Sequence, residues 1–170
     1  MTRVSPAQLT YLMLNSQDKV AIIGLGNTLR RDDGIGIHVL ALLQDKLKTQ
    51  NVSFLNFGIA SYGLVNYIND FHKVLLIDAI DANLEPATLR IFKLDEASYQ
   101  TKEGKVSSHE LSLADLLNLY KTLGIHSDVQ IAGIQVKDTS YGLDMTSELE
   151  IAKARIAEEI GKFIDSWKLN

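Results

Sequence analysis

The sequence predicts an α/β fold: a three-layer sandwich, with a twisted, mostly parallel five-stranded sheet, one antiparallel edge strand and helices on both faces. Three observations carry this. Short apolar runs alternate along the chain with segments of helical period. The runs VAIIGL and VLLI are apolar throughout, as strands covered on both faces must be. The connection DANLEP, between two strand-like runs, is shorter than the dozen or so residues that a parallel crossover needs.

In chain order, Ser5 can cap a first helix over residues 6 to 17, with Pro6 suited to its first position and Leu9, Leu12 and Met13 as its apolar stripe. Strand 1 is Val20 to Leu25. A helix from about Asp33 to Lys48 follows, with Ile35, Val39, Leu42, Leu43 and Leu47 on one face. Strand 2 lies near Val52 to Phe57, and a short helix spans about Ser61 to Asn69. Strand 3, Val74 to Ile77, ends at Asp78. Strand 4, Thr88 to Leu94, returns antiparallel, and its Arg90 and Lys93 suit an edge. A long polar stretch, Asp95 to Ser108, ends in a capping box of Ser107 and Glu110. It starts a helix carrying Leu113, Leu116, Leu117 and Tyr120. Val129 to Val136 is strand 5, and Ser147 to Trp167 forms the last helix. No repeat or linker marks a boundary, so residues 1–170 read as a single domain with a helical extension over 1–19.

Composition narrows the function classes. The 170 residues carry a net charge of −4, which does not favour a nucleic-acid partner. The absence of cysteine removes disulfides, thiolate metal sites and cysteine nucleophiles. No apolar run approaches the roughly 20 residues of a membrane helix. The first residues have no signal-peptide pattern, so a cytoplasmic protein without a membrane partner is expected.

In open α/β sheets, ligands sit outside the carboxyl ends of the strands. That rule selects Asn27 to Asp33, Ala60 to Gly63, Asp78 to Asp81 and Lys137 to Tyr141. Gly24 and Gly26 resemble the start of a dinucleotide fingerprint, but Leu29 stands at the third glycine, and two acids follow where a pyrophosphate would bind. The glycines fit a sharp turn better. Asp32 and Asp33 could simply compensate a helix dipole, worth about 0.3–1 kcal/mol each. Asp78 could be an ordinary turn residue. A carboxylate at the end of a buried strand is nonetheless costly without a partner, and two carboxylates in one crevice call for a cation or a shared proton.

There are four histidines to consider. His72 and His126 precede strands, at the wrong end of the sheet. His38 is five residues past Asp33, off its helical face. His109 stands in the first turn of its helix, where the positive helix end favours the neutral imidazole, though a surface role would also fit. One acid of the Asp32–Asp33 pair, Asp78 and His109 together offer two oxygens and one nitrogen, a ligand set for nickel or zinc with positions left open. The residue pattern alone does not choose between Asp32 and Asp33.

The ordered motifs GLGNTLRRDDGIG, LLIDAID and SSHELSLADLL resemble those of the hydrogenase maturation endopeptidases, which trim the large subunit of nickel–iron hydrogenases. The resemblance runs from about Val20 to near the C-terminus. It implies a metal site of Asp33, Asp78 and His109, choosing Asp33 over Asp32. It implies a mixed sheet flanked by helices. The implied activity is a hydrolase of aspartyl or metallo type that removes a short C-terminal peptide from the hydrogenase large-subunit precursor. Nickel would come from the precursor, with zinc or another divalent ion able to substitute, and a monomer is expected. Many family members carry an Asp-Gly-Gly-Thr-like stretch after strand 2; here the segment is NFGIASYG, with Asn56 at the acidic position. Two other classes share parts of the pattern. A phosphoacceptor receiver domain would use paired acids, Asp78 and Lys137, although the acids come some seven residues past strand 1. A nickel-binding chaperone would bind the same precursor without cutting it.

Overall fold

The computed structural model describes residues 19–47, 52–59, 62–94, 120, 122–124 and 127–168. The helix expected over residues 6 to 17, the polar stretch from Asp95 with its capping box, His109, most of the helix after it and His126 lie outside the described residues.

Strand β1 (Val20–Leu25) leads through a 3-10 turn (Arg31–Gly34) into helix α1 (Ile35–Lys46). Then come β2 (Val52–Gly58), α2 (Tyr62–Ile68), β3 (Lys73–Ile80), β4 (Leu89–Lys93), β5 (Asp128–Gln135) and α3 (Ser147–Lys168). The strands form one sheet in the order β2-β1-β3-β5-β4. All pairs are parallel except β4 with β5. The α/β class, the antiparallel β4 and the exposure of its Arg90 and Lys93 agree with the sequence reading.

Burial separates the two faces as the pleat requires. Ile22, Leu75, Ile77, Ala132 and Ile134 point to one face, where α1 and α3 cover them with Val39, Leu43, Ile156 and Ile160. Ala21, Ile23, Val74, Leu76 and Ile131 point to the other, against Leu64, Val65 and Ile68 of α2. The result is three layers. Each fully buried Leu or Ile contributes roughly 1.5–3 kcal/mol, so the central strands are the firmest platform in the chain.

Two local expectations change. β3 runs on to Ile80 because its pairing with β5 continues through Ile80 and Gln135. Asp78 is therefore inside the strand, opposite Gly133, and not just past its end. The acids Asp32 and Asp33 lie in the 3-10 turn ahead of α1, whose own first turn has no acidic residue. They stand just ahead of its N-cap, Gly34. The turn is held from elsewhere in the chain.

Candidate functional site

The strand order reverses between β1 and β3. The chain leaves β1 toward β2 and then returns to place β3 on β1's other side. Such a reversal opens a crevice at the carboxyl ends of the two strands. Helix α1 starts there. A Cβ on Gly36 would lie 2.3 Å from the carbonyl oxygens of both Leu25 and Ile77, so only glycine lets the helix begin this close to the two strands. The 3-10 turn just before it contacts β3. Asp33, in the turn, and Asp78, on β3, are thus brought to the same strand ends.

Asp33 is half-buried. Its Oδ2 accepts the backbone N–H of Asn27 at 3.0 Å. Its own N–H donates to the Arg30 carbonyl at 2.9 Å. Asn27 uses its side-chain oxygen to accept the N–H of Leu29 at 2.9 Å, which shapes the loop around Asp33. Gly26 has φ +127°, and a Cβ there would stand 1.9 Å from the Asp33 carbonyl oxygen. The glycine-rich stretch therefore serves Asp33, as its failure to match a nucleotide fingerprint suggested. Asp78 is also half-buried, and its Oδ1 accepts the N–H of Ala79 at 2.9 Å.

Asp32 points the other way and is fully buried. Its Oδ2 accepts the N–H groups of Lys137 and Asp138, both at 3.0 Å, and the Thr146 hydroxyl at 2.9 Å. Its Oδ1 accepts the Thr146 N–H at 2.7 Å. A buried carboxylate is tolerated when hydrogen bonds replace its water shell in this way. More bonds join the same two loops. Arg31 N–H donates to Gly142 O and Gly142 N–H to Leu29 O, both at 2.9 Å, and Arg30 Nε donates to Thr139 O at 3.0 Å. Arg31 is held at φ +42°, a conformation a non-glycine residue keeps only where its surroundings enforce it.

The remaining candidates separate cleanly. Lys137 directs its ammonium to Glu148 at 2.6 Å; Glu148 raises the pKa of the lysine, and the lysine lowers that of Glu148. The receiver reading, which needs this lysine beside Asp78, loses its cation. His72 is exposed at the opposite end of the sheet, its N–H on the Lys19 carbonyl. His38 is half-buried on α1; burial first, and then the Lys153 charge, lower its pKa. Asn56, at the position where an acid was expected, is exposed and accepts the Gly58 N–H at 3.1 Å. Its side chain shapes the end of β2. Among the described residues no group of three or more His, Cys, Asp or Glu could hold a metal, and His109 lies outside them. Asp33 and Asp78 remain, each with one carboxylate oxygen held by a backbone amide.

The fold defines an α/β protein with a topological switch point between β1 and β3, where Asp33 and Asp78 make its candidate site. The model of the hydrogenase maturation protease family (HycI) matches residues 37–162, well over half of the chain. The chain belongs to this family and is a protease by class. The match starts just beyond Asp33 and includes Asp78 and His109. Over 148 residues the chain is 30% identical to a putative hydrogenase maturation protease of Methanocaldococcus jannaschii, covering 86% of this chain and 89% of that protein. It is 25% identical over 152 residues to the hydrogenase expression/formation protein HupD of Rhizobium leguminosarum, covering 88% and 75%. The crystal structure of the NiFe hydrogenase maturation protease HycI from Thermococcus kodakarensis superposes with a TM-score of 0.70 at 24% identity, over 92% of this chain and 99% of that one. That likeness shows the shared fold.

Proposed function

We propose that this chain is the endopeptidase that removes a short C-terminal extension from the nickel-loaded large-subunit precursor of a nickel–iron hydrogenase. The observation that supports it most is the delivery of Asp33 and Asp78 to one pair of strand ends by the close seating of Gly36 on Leu25 and Ile77. Two carboxylates there repel unless a cation lies between them, and a precursor that carries nickel brings one.

In this reading Asp33, Asp78 and His109 grip the precursor's nickel and so orient its tail across the crevice. The Asn27 and Ala79 amides fix one oxygen of each acid, so the carboxylates are set before substrate arrives. Nickel bound in this way can polarise the scissile carbonyl or lower the pKa of a water. Zinc or another divalent ion can stand in for it. The chain acts as a monomer in the cytoplasm, with no nucleic-acid or membrane partner. Among the described residues no helix is long and apolar enough to cross a membrane.

The test is single replacement, Asp33→Asn, Asp78→Asn and His109→Ala, each mixed with nickel-loaded precursor and followed by the change in precursor length on a gel. Each variant is expected to slow processing on the order of 100-fold or more. Wild-type rates in all three would remove the assignment. Binding of the precursor by the wild type without any shortening would indicate the nickel-binding chaperone instead.

A further inference from the structure

We propose that Asp32 is a positioning residue for the reaction: through Thr146 it locks the turn that carries Asp33, so that the β5–α3 loop sets the aim of the carboxylate that orients the precursor. This rests on the role given to Asp33 above. The two acids are neighbours in sequence and opposite in use. Among the described residues the Asp33 carboxylate accepts only from Asn27, within its own loop. All four donors to Asp32 come from residues 137, 138 and 146, more than a hundred positions away. The Asp32 N–H returns the contact, donating to the Asp138 carbonyl at 3.2 Å. Among the described residues no ion pair involves Asp32. Amide and hydroxyl dipoles of the loop hold both of its oxygens, and the Lys137 charge adds a longer-range attraction. A carboxylate accepts all four hydrogen bonds. An asparagine cannot, because its NH2 would face N–H donors.

The consequence is mechanical. With residue 32 pinned at both oxygens, the 3-10 turn has one position, and residue 33 can rotate little about it. Gly26 closes the other side, since the Asp33 carbonyl sits where a Cβ would be. Asp33 orients the precursor tail in the proposed function, and misplacement of an orienting group by about 1 Å can cost on the order of 100-fold in rate, so loosening the clamp acts on turnover more than on substrate affinity.

The sharpest variant is Thr146→Val. It removes one hydroxyl donor, keeps the backbone N–H and keeps the shape. Thr146→Ser restores the hydroxyl, and Asp32→Asn is the stronger lesion if it folds. The full chain is assayed on nickel-loaded precursor, with kcat and KM measured separately. In parallel, hydrogen exchange is followed at the Asn27 amide, which donates to Asp33. Thr146→Val is expected to lower kcat roughly tenfold with KM within about twofold, and Thr146→Ser to recover most of it. Protection at Asn27 should fall in the valine variant and return in the serine variant. Unchanged Asn27 protection in Thr146→Val would overturn the proposal, as would a rise in KM at constant kcat. If the wild type processes no precursor, the proposed function of Asp33 fails, while the exchange result still decides whether the clamp holds its carboxylate.

Discussion

Asp33 depends on neighbours that carry no reactive group. Gly26 is the clearest, because its left-handed φ and the proximity of the Asp33 carbonyl exclude any side chain. Gly26→Ala is expected to lose at least roughly 1–3 kcal/mol of stability from backbone strain alone, with a larger loss if the loop cannot shift. Urea unfolding checks this, and a stability equal to wild type would show that the turn is looser than described. The acidic pair after an apolar strand and a glycine turn is legible in the sequence, and the resemblance of the ordered motifs is what selects Asp33 from it. The work of Asp32 is not legible there. Its donors are mostly backbone N–H groups far along the chain, and a backbone amide leaves no mark in the amino-acid code. Asn27 had a faint signal, an asparagine following a glycine at the start of a loop, where its side chain commonly bonds the backbone two residues on.

At the level of elements, α1 couples the crevice to the last helix. His38 of α1 meets the charges of Lys153 and Glu150 on α3. Its pKa is lowered in the folded chain, chiefly by burial and next by Lys153, while Glu150 opposes the shift. The sign follows from linkage. Between the folded value and the unfolded value near 6.5, the unfolded chain binds the proton more readily. Stability from this group is therefore complete above about pH 6.5 and is lost as pH falls toward the folded value. Comparing wild type with His38→Gln by urea unfolding from pH 8 to pH 5 should show the wild type losing stability more steeply on the acid side. Parallel curves would contradict the shift. The apolar strands and the amphipathic last helix were plain from period alone. The insertion of β5 between β3 and β4 was not, since uniformly apolar strands carry no label for their neighbours. The 3-10 turn was likewise hidden, because the bonds that shape it come from the β5–α3 loop.

Across the molecule, the carboxyl rim of the sheet gathers the loops after β1 and β5 into one rigid ledge. That ledge holds large apolar groups out to water: Leu29 is 59% exposed, Leu143 74% and Tyr141 85%. The Arg30 guanidinium lies 6.0 Å from the centre of the Tyr141 ring, which steadies it. In the proposed function these side chains are the apolar surface offered to the precursor tail. Tyr141→Ala is accordingly expected to raise KM roughly three- to tenfold with little change in kcat, measured on the nickel-loaded precursor. A loss confined to kcat would place Tyr141 in the chemistry and not in docking.

The account turns on three side chains sharing the precursor's nickel. Nickel-edge X-ray absorption tests it most directly, on nickel-loaded precursor alone and on precursor frozen with the protein during the first turnover. With the wild type, new oxygen or nitrogen neighbours at the nickel are predicted, and they should be lost with Asp33→Asn. A nickel environment that stays the same whether or not the wild-type protein is present would contradict the account.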